Sequence, residues 1–209
     1  MNNQIKQLTQ RYPQLESCAE DIQKAYERMV ECYENDGKIL IAGNGGSAAD
    51  AEHMVGELMK RFKKPRPISE DIKTELKKID PSAGEILADG IEGTLTAISL
   101  TTHESLSTAY LNDRFGEGVF AQQLYGFGRE GDVFYALSTS GNSRNVLLAA
   151  IMAKALGITV VGLTGATGGK LAEIADVCIK VPETETYKIQ ELHLPIHHCL
   201  CLMLEENFF

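Results

Sequence analysis

Residues 37–57, GKILIAGNGGSAADAEHMVGE, join a short apolar run to a glycine-serine turn and then to a helical pattern. The run 38–42 predicts a buried strand, because a nearly continuous apolar stretch suits a strand covered on both faces. Gly43, Gly45 and Gly46 let the chain turn tightly around Asn44 and approach a ligand closely. Ser47 is expected to cap the helix that follows, whose free N–H groups suit an anion. His53 and Glu57 stand four residues apart in that helix, on one face, where they can share a metal ion or a proton-transfer task.

Moving outward, residues 14–35 place Leu15, Cys18, Ile22, Ala25, Met29 and Val30 at a 3.6-residue period that stops at Asn35-Asp36-Gly37. This predicts a long amphipathic helix, the main part of an N-terminal helix over about residues 1–36. Further apolar runs at 94–100, 132–137, 158–163 and 177–181 alternate with helical patterns such as 145–156. Five short apolar strands interleaved with helices predict an α/β fold: a three-layer sandwich with a five-stranded parallel sheet, flanked by helices, as one domain over residues 1–209. Ligands in such sheets sit at the carboxyl ends of the strands. A final helix is expected over residues 186–206, kinked at Pro195. Residues 63–93 are charged, hold three of the six prolines, and read as an insertion with short helices starting near Ser69 and Ser82.

The chain has 209 residues, is 44% hydrophobic and 23% charged, and carries a formal charge of −9, the balance of an ordinary globular protein with one sizeable core. That charge argues against nucleic-acid binding, which draws on clustered Lys and Arg. A small-molecule substrate fits better. With no apolar run approaching the ~20 residues of a membrane span and no secretory signal pattern, a cytoplasmic protein without membrane partners is expected. Cys18, Cys32, Cys178, Cys199 and Cys201 are odd in number and lack C-x-x-C spacing, which predicts reduced core thiols.

Two more segments carry chemistry. STSGNS, Ser138 to Ser143, falls between a predicted strand and a predicted helix, and its hydroxyls can meet the acceptor oxygens of a phosphate monoester. No Gly-Lys-Ser/Thr follows, so this is not a nucleotide P-loop. KIQELHLPIHHC, residues 188–199, gathers Gln190, Glu191, His193, His197 and His198 on one helix. At 100° per residue His197 lies nearly above Gln190 while His198 is about 80° round the helix, so simple helical geometry favours His197 as Gln190's partner.

GNGGSAADAEHMVGE, STSGNS, LTGATGGK and the Gln-x7-His of QELHLPIHH, taken in order, resemble a sugar isomerase (SIS) domain of the phosphoheptose isomerase type. The resemblance implies an aldose–ketose isomerase that converts sedoheptulose 7-phosphate to D-glycero-D-manno-heptose 7-phosphate through an enediol. It implies a homotetramer with sites at subunit boundaries and an exchangeable zinc. By the same resemblance Asn44, Gly45, Gly46, Ser138, Thr139, Ser140 and Ser143 hold the substrate, largely at its phosphate, Asn112 and Asp113 face the sugar, and Ser47 and Arg61 lie near the pocket. His53, Glu57, Gln190 and His198 match the metal-binding set, which selects His198 over His197. Glu57 and His198 become the acid/base pair. Two departures stand out: the length of 63–93, and Gly56 where a second acidic residue often stands. A non-catalytic relative, such as the initiator-associating protein of this fold, and an isomerase of a different phosphosugar are the alternatives.

Overall fold

Ile39 and Ile41 pack on one side of a central sheet while Leu40 and Ala42 pack on the other. Val133, Tyr135 and Leu137 alternate in the same way with Phe134 and Ala136. Every one of these side chains is buried, as the period-two geometry of a doubly covered strand requires. The computed structural model describes residues 2–209. Its strands are β1 (Ile39–Ala42), β2 (Ala97–Ser99), β3 (Val133–Leu137), β4 (Thr159–Thr164) and β5 (Val177–Lys180), matching the runs anticipated from sequence. They form one parallel sheet in the order β2-β1-β3-β4-β5, with Leu40 opposite both Ile98 and Phe134.

Helices α1 (Asn3–Arg11), α2 (Ala19–Glu34), α3 (Gly46–Met59) and α10 (Thr186–Phe208) cover one face through Ile5, Ile22, Met54 and Leu200. The other face is covered by α7 (Val119–Phe127) and α8 (Arg144–Ala155), with Leu124, Val146 and Ala150 against Phe134 and Val160. The remaining helices are α4 (Glu70–Ile79), α5 (Pro81–Gly90), α6 (Glu104–Asp113) and the short α9 (Leu171–Ile174). All five cysteines are free, and four of them are buried. Among the described residues no helix is long and apolar enough to cross a membrane.

The structure departs from several local expectations. The N-terminal region is not one long helix: α1 ends at Arg11, Pro13–Cys18 forms a 3-10 turn, and α2 starts only at Ala19. Pro13 lacks the N–H that a continuing helix would need, which breaks the helix at Tyr12. Ser47 does not cap α3. Gly45, at φ +56°, holds the cap position and the buried Ser47 lies inside the first turn. Ser69 does cap α4, accepting from the Ile72 N–H, but α5 is capped by Asp80, which takes the N–H groups of Ser82 and Ala83. The C-terminal helix spans Thr186–Phe208 with Pro195 inside it.

Candidate active site

From β1 the chain moves outward to β2 and then returns across β1 to β3, so the carboxyl ends of β1 and β3 form the switch point where an open α/β sheet leaves a crevice. Both glycine- and serine-rich turns emerge there. Asn44 and Asn145, one on each side, exchange two amide hydrogen bonds, Asn44 Nδ2 to Asn145 Oδ1 at 2.9 Å and the reverse at 2.8 Å. Gly46 lets Gln190 of α10 lie over the β1 turn, since a Cβ there would stand 2.6 Å from the Gln190 amide nitrogen.

The β3 turn is fixed by its own hydroxyls. Buried Ser138 donates to Ser143 Oγ at 2.9 Å, and Ser140 Oγ accepts from the Asn142 N–H at 3.1 Å. Gly141 has φ +64°, and a Cβ on it would lie 1.9 Å from the Gly168 carbonyl oxygen. Asn142 Oδ1 accepts from the Lys170 N–H, tying this turn to the one after β4. Thr139, Ser140, Asn142 and Thr167 line a cavity of about 220 Å³.

Farther along α3 from this crevice, where the Leu58 carbonyl accepts the Leu95 N–H ahead of β2, α3 and α10 bring together His53, Glu57 and His198. His53 Nε2 lies 3.4 Å from Glu57 Oε1 and 3.4 Å from His198 Nε2, and the other Glu57 oxygen is 3.4 Å from Lys60 Nζ. Phe62 packs its ring 5.5 Å from that of His198. Burial holds the His198 imidazole below its ordinary pKa, the neighbouring His53 adds to this, and the Glu57 carboxylate opposes both. His197 points away into the core, nearly fully buried, with the Tyr135 hydroxyl 3.3 Å from Nδ1. Buried with it is His193, four residues back on the same face of α10, whose Nε2 lies 3.3 Å from the Thr164 carbonyl. The sheet therefore takes the face of His193 and His197, the latter also 3.9 Å from Asp50 of α3, and only His198 meets His53.

Gln190 stands eight residues before His198, about 12 Å along the helix axis, with its amide against Gly46. Asn112 and Asp113 sit exposed at the end of α6, with a 2.9 Å hydrogen bond from Asn112 Nδ2 to Asp113 Oδ1. Arg61 binds Glu92 through its N–H at 2.9 Å and its Nε at 3.1 Å. Asn145 and Phe62 escaped the sequence reading. Asn145 carried a usable signal, as a polar residue in the first turn of a helix that opens at the second phosphate-type turn.

Among the described residues no three His, Cys, Asp or Glu side chains already close on one point. His53, Glu57 and His198 nonetheless carry donor atoms suited to zinc. A tetrahedral ion with bonds of about 2.0–2.1 Å separates its ligand atoms by about 3.4 Å. Those are the His53–Glu57 and His53–His198 separations.

A family model described as SIS domain matches residues 3–87 and 88–165. The chain is 44% identical to the phosphoheptose isomerase of Aneurinibacillus thermoaerophilus over 90% of its own length and 82% of that protein's. It is 36% identical to the phosphoheptose isomerase of Akkermansia muciniphila over 100% of its length and 97% of the relative's. The solved phosphoheptose isomerase of Neisseria gonorrhoeae superposes with a TM-score of 0.75 at 34% identity, covering 97% of this chain and 93% of that one. The chain thus belongs to the SIS domain family, and within it to the phosphoheptose isomerases, which are phosphosugar-isomerising enzymes.

Proposed function

We propose that the chain interconverts sedoheptulose 7-phosphate and D-glycero-D-manno-heptose 7-phosphate. The observation that carries this reading is the approach of Glu57 and His198, from two helices, each to within 3.4 Å of His53, in a fold whose switch-point crevice is lined with serines and amides. In this reading Thr139, Ser140, Ser143 and the β1 turn around Asn44, Gly45 and Gly46 bind the phosphate. Ser47 supports that turn from below, and the sugar extends from there toward α3 and α10 past Gln190.

Aldose–ketose exchange removes a proton from the carbon beside the carbonyl and returns one to its neighbour, through an enediol whose developing charge needs stabilisation. Glu57 takes the carbon-bound proton. His198, held neutral by its surroundings, passes a proton between the two oxygens. His53 links the two through its Nε2 and sets the distance between them. An exchangeable zinc on His53, Glu57 and His198 would supply polarisation of the carbonyl oxygen, whereas Gln190, its amide against Gly46, stands apart from these three. Within the same reading the protein acts in the cytoplasm as a homotetramer whose neighbours bring Asn112 and Asp113 to the sugar. The exposed Leu111 and Phe115 on and beside α6 support such a contact.

The test is incubation of the purified protein with sedoheptulose 7-phosphate in deuterated water. Product that gains carbon-bound deuterium, abolished in Glu57→Gln, supports the reading. Phosphosugar binding without conversion would replace it with a binding module or an isomerase of another sugar.

A further inference from the structure

Glu57 sits in the last turn of α3, where backbone carbonyls have no partner within the helix and ends fray. The residue after the helix, Lys60, is extended and supplies no closing hydrogen bond. The Glu57 carbonyl is taken instead by Arg66 Nη2 at 3.1 Å, and the Leu58 carbonyl by Arg66 Nη1 at 2.7 Å together with the Leu95 N–H at 3.0 Å. A cation at this end also suits the helix dipole.

Arg66 is only 1% exposed, and two further donors go to Glu205, with Nε at 3.0 Å and Nη2 at 2.9 Å from Oε1. Glu205 is equally buried and also accepts the N–H groups of Phe62 and Lys63, both at 2.8 Å. The Phe209 ring covers the guanidinium at 4.7 Å. Glu205 lies seven residues beyond His198 on α10, two turns along nearly the same face. One guanidinium thus joins the backbone of Glu57 to the helix that carries His198. We propose that Arg66, held by Glu205, is a positioning residue that fixes the last turn of α3 so that the Glu57 carboxylate meets His53 where His198 does. The proposal rests on the isomerase reading above.

A buried ion pair of this kind is weak evidence for stability, since desolvation offsets much of its attraction. Its geometric effect is larger: a misplacement of about 1 Å in a reacting group costs on the order of 10²-fold in rate. The pair also stands at the root of the 63–93 insertion. Arg66 accepts the Gly93 N–H at 2.6 Å through its carbonyl, and the next residue, Pro67, pairs with Glu92. The base of the α4–α5 hairpin is therefore anchored through the same residue that ends α3.

The test compares Arg66→Lys in the otherwise native chain and in a Glu57→Gln background, reading kcat, KM, phosphosugar affinity by calorimetry, and amide exchange across residues 55–59. Lys keeps the charge beside Glu205 but lacks the planar fork that reaches two carbonyls at once. The expected result is a kcat lower by about 10²-fold with affinity changed less than about twofold, and faster exchange in the last turn of α3. In the Glu57→Gln background the same change should add less than about twofold, because the group it positions is gone. An undiminished effect in that background, or an unchanged kcat in the single variant, overturns the proposal. Should Arg66→Lys not fold, Glu205→Gln, which keeps an acceptor oxygen, takes its place in the same measurements, and the same results support or overturn the proposal. Should the wild-type protein bind phosphosugar yet isomerise nothing, the functional reading fails by itself. Amide exchange then decides the positioning claim, and unchanged exchange in the variant overturns it.

Discussion

Asn44 and Asn145 clasp each other across the crevice between β1 and β3, each amide donating to the other's oxygen at 2.8–2.9 Å. The pair ties together two turns that otherwise belong to separate strand-helix units. Its removal should loosen the phosphate end of the site more than the fold, because Asn44 is exposed and Asn145 only half-buried. Asn145→Ala is predicted to raise KM for the phosphosugar about fivefold, in line with about 1 kcal/mol for a neutral hydrogen-bonded pair, and to leave kcat within about twofold. Steady-state kinetics checks this.

Gly141→Ala attacks the same crevice through the backbone. The position needs φ +64°, and the new methyl would collide with the Gly168 carbonyl at 1.9 Å. The change should destabilise the protein by more than about 2 kcal/mol, or about 4–8 °C in Tm, and abolish phosphosugar binding. Differential scanning calorimetry and a binding titration read the two effects.

Glu57→Gln keeps shape and removes the proposed base. Turnover should fall by about 10²–10⁴-fold with KM little changed, measured by deuterium incorporation. A KM effect of the same size would assign Glu57 to binding.

His53→Ala removes the shared vertex of the His53–Glu57–His198 arrangement. Zinc retained after dialysis, measured by elemental analysis, should drop to background, while the Tm without added metal should change by less than about 4 °C because His53 is exposed.

Asp176 offers a pH test away from the site. Burial alone would raise its carboxyl, but Lys154 and the Val160 N–H, at 2.8 Å, outweigh this and hold it below its ordinary 3.8. A depressed folded pKa means that its stabilisation is complete above about pH 3.8 and is lost as pH falls through the lower folded value. Asp176→Asn should therefore flatten the loss of Tm below pH 4 and leave activity at pH 7 unchanged, read by thermal melts across pH 2–7.

The strands were legible because an apolar run of five residues bounded by Gly, Asn or Asp has few ways to hide except inside a covered sheet. The turn residues Gly43 to Gly46 and Ser138 to Ser143 were legible for the same local reason. Ser47 misled because a serine beside glycine resembles a cap, while the positive φ of Gly45 moved the cap ahead of the serine's own place in the helix. Choosing between His197 and His198 was beyond helical spacing alone, because both lie on α10 and the answer depends on how that helix is rotated against the sheet.

The sequence by itself determined the parallel α/β plan, the two phosphate-type turns, the helical face shared by His53 and Glu57, and, through resemblance, the family. These follow from periodicity, turn chemistry and short-range spacing, which act within a few residues. Only the tertiary structure decided that Asn44 meets Asn145 and that His198 meets His53 while His197 packs against Tyr135. It also decided that Gln190 lies over Gly46 and that Arg66 closes α3 onto Glu205. Each joins residues from about 60 to nearly 150 positions apart, and such pairings depend on the packing of whole helices against the sheet.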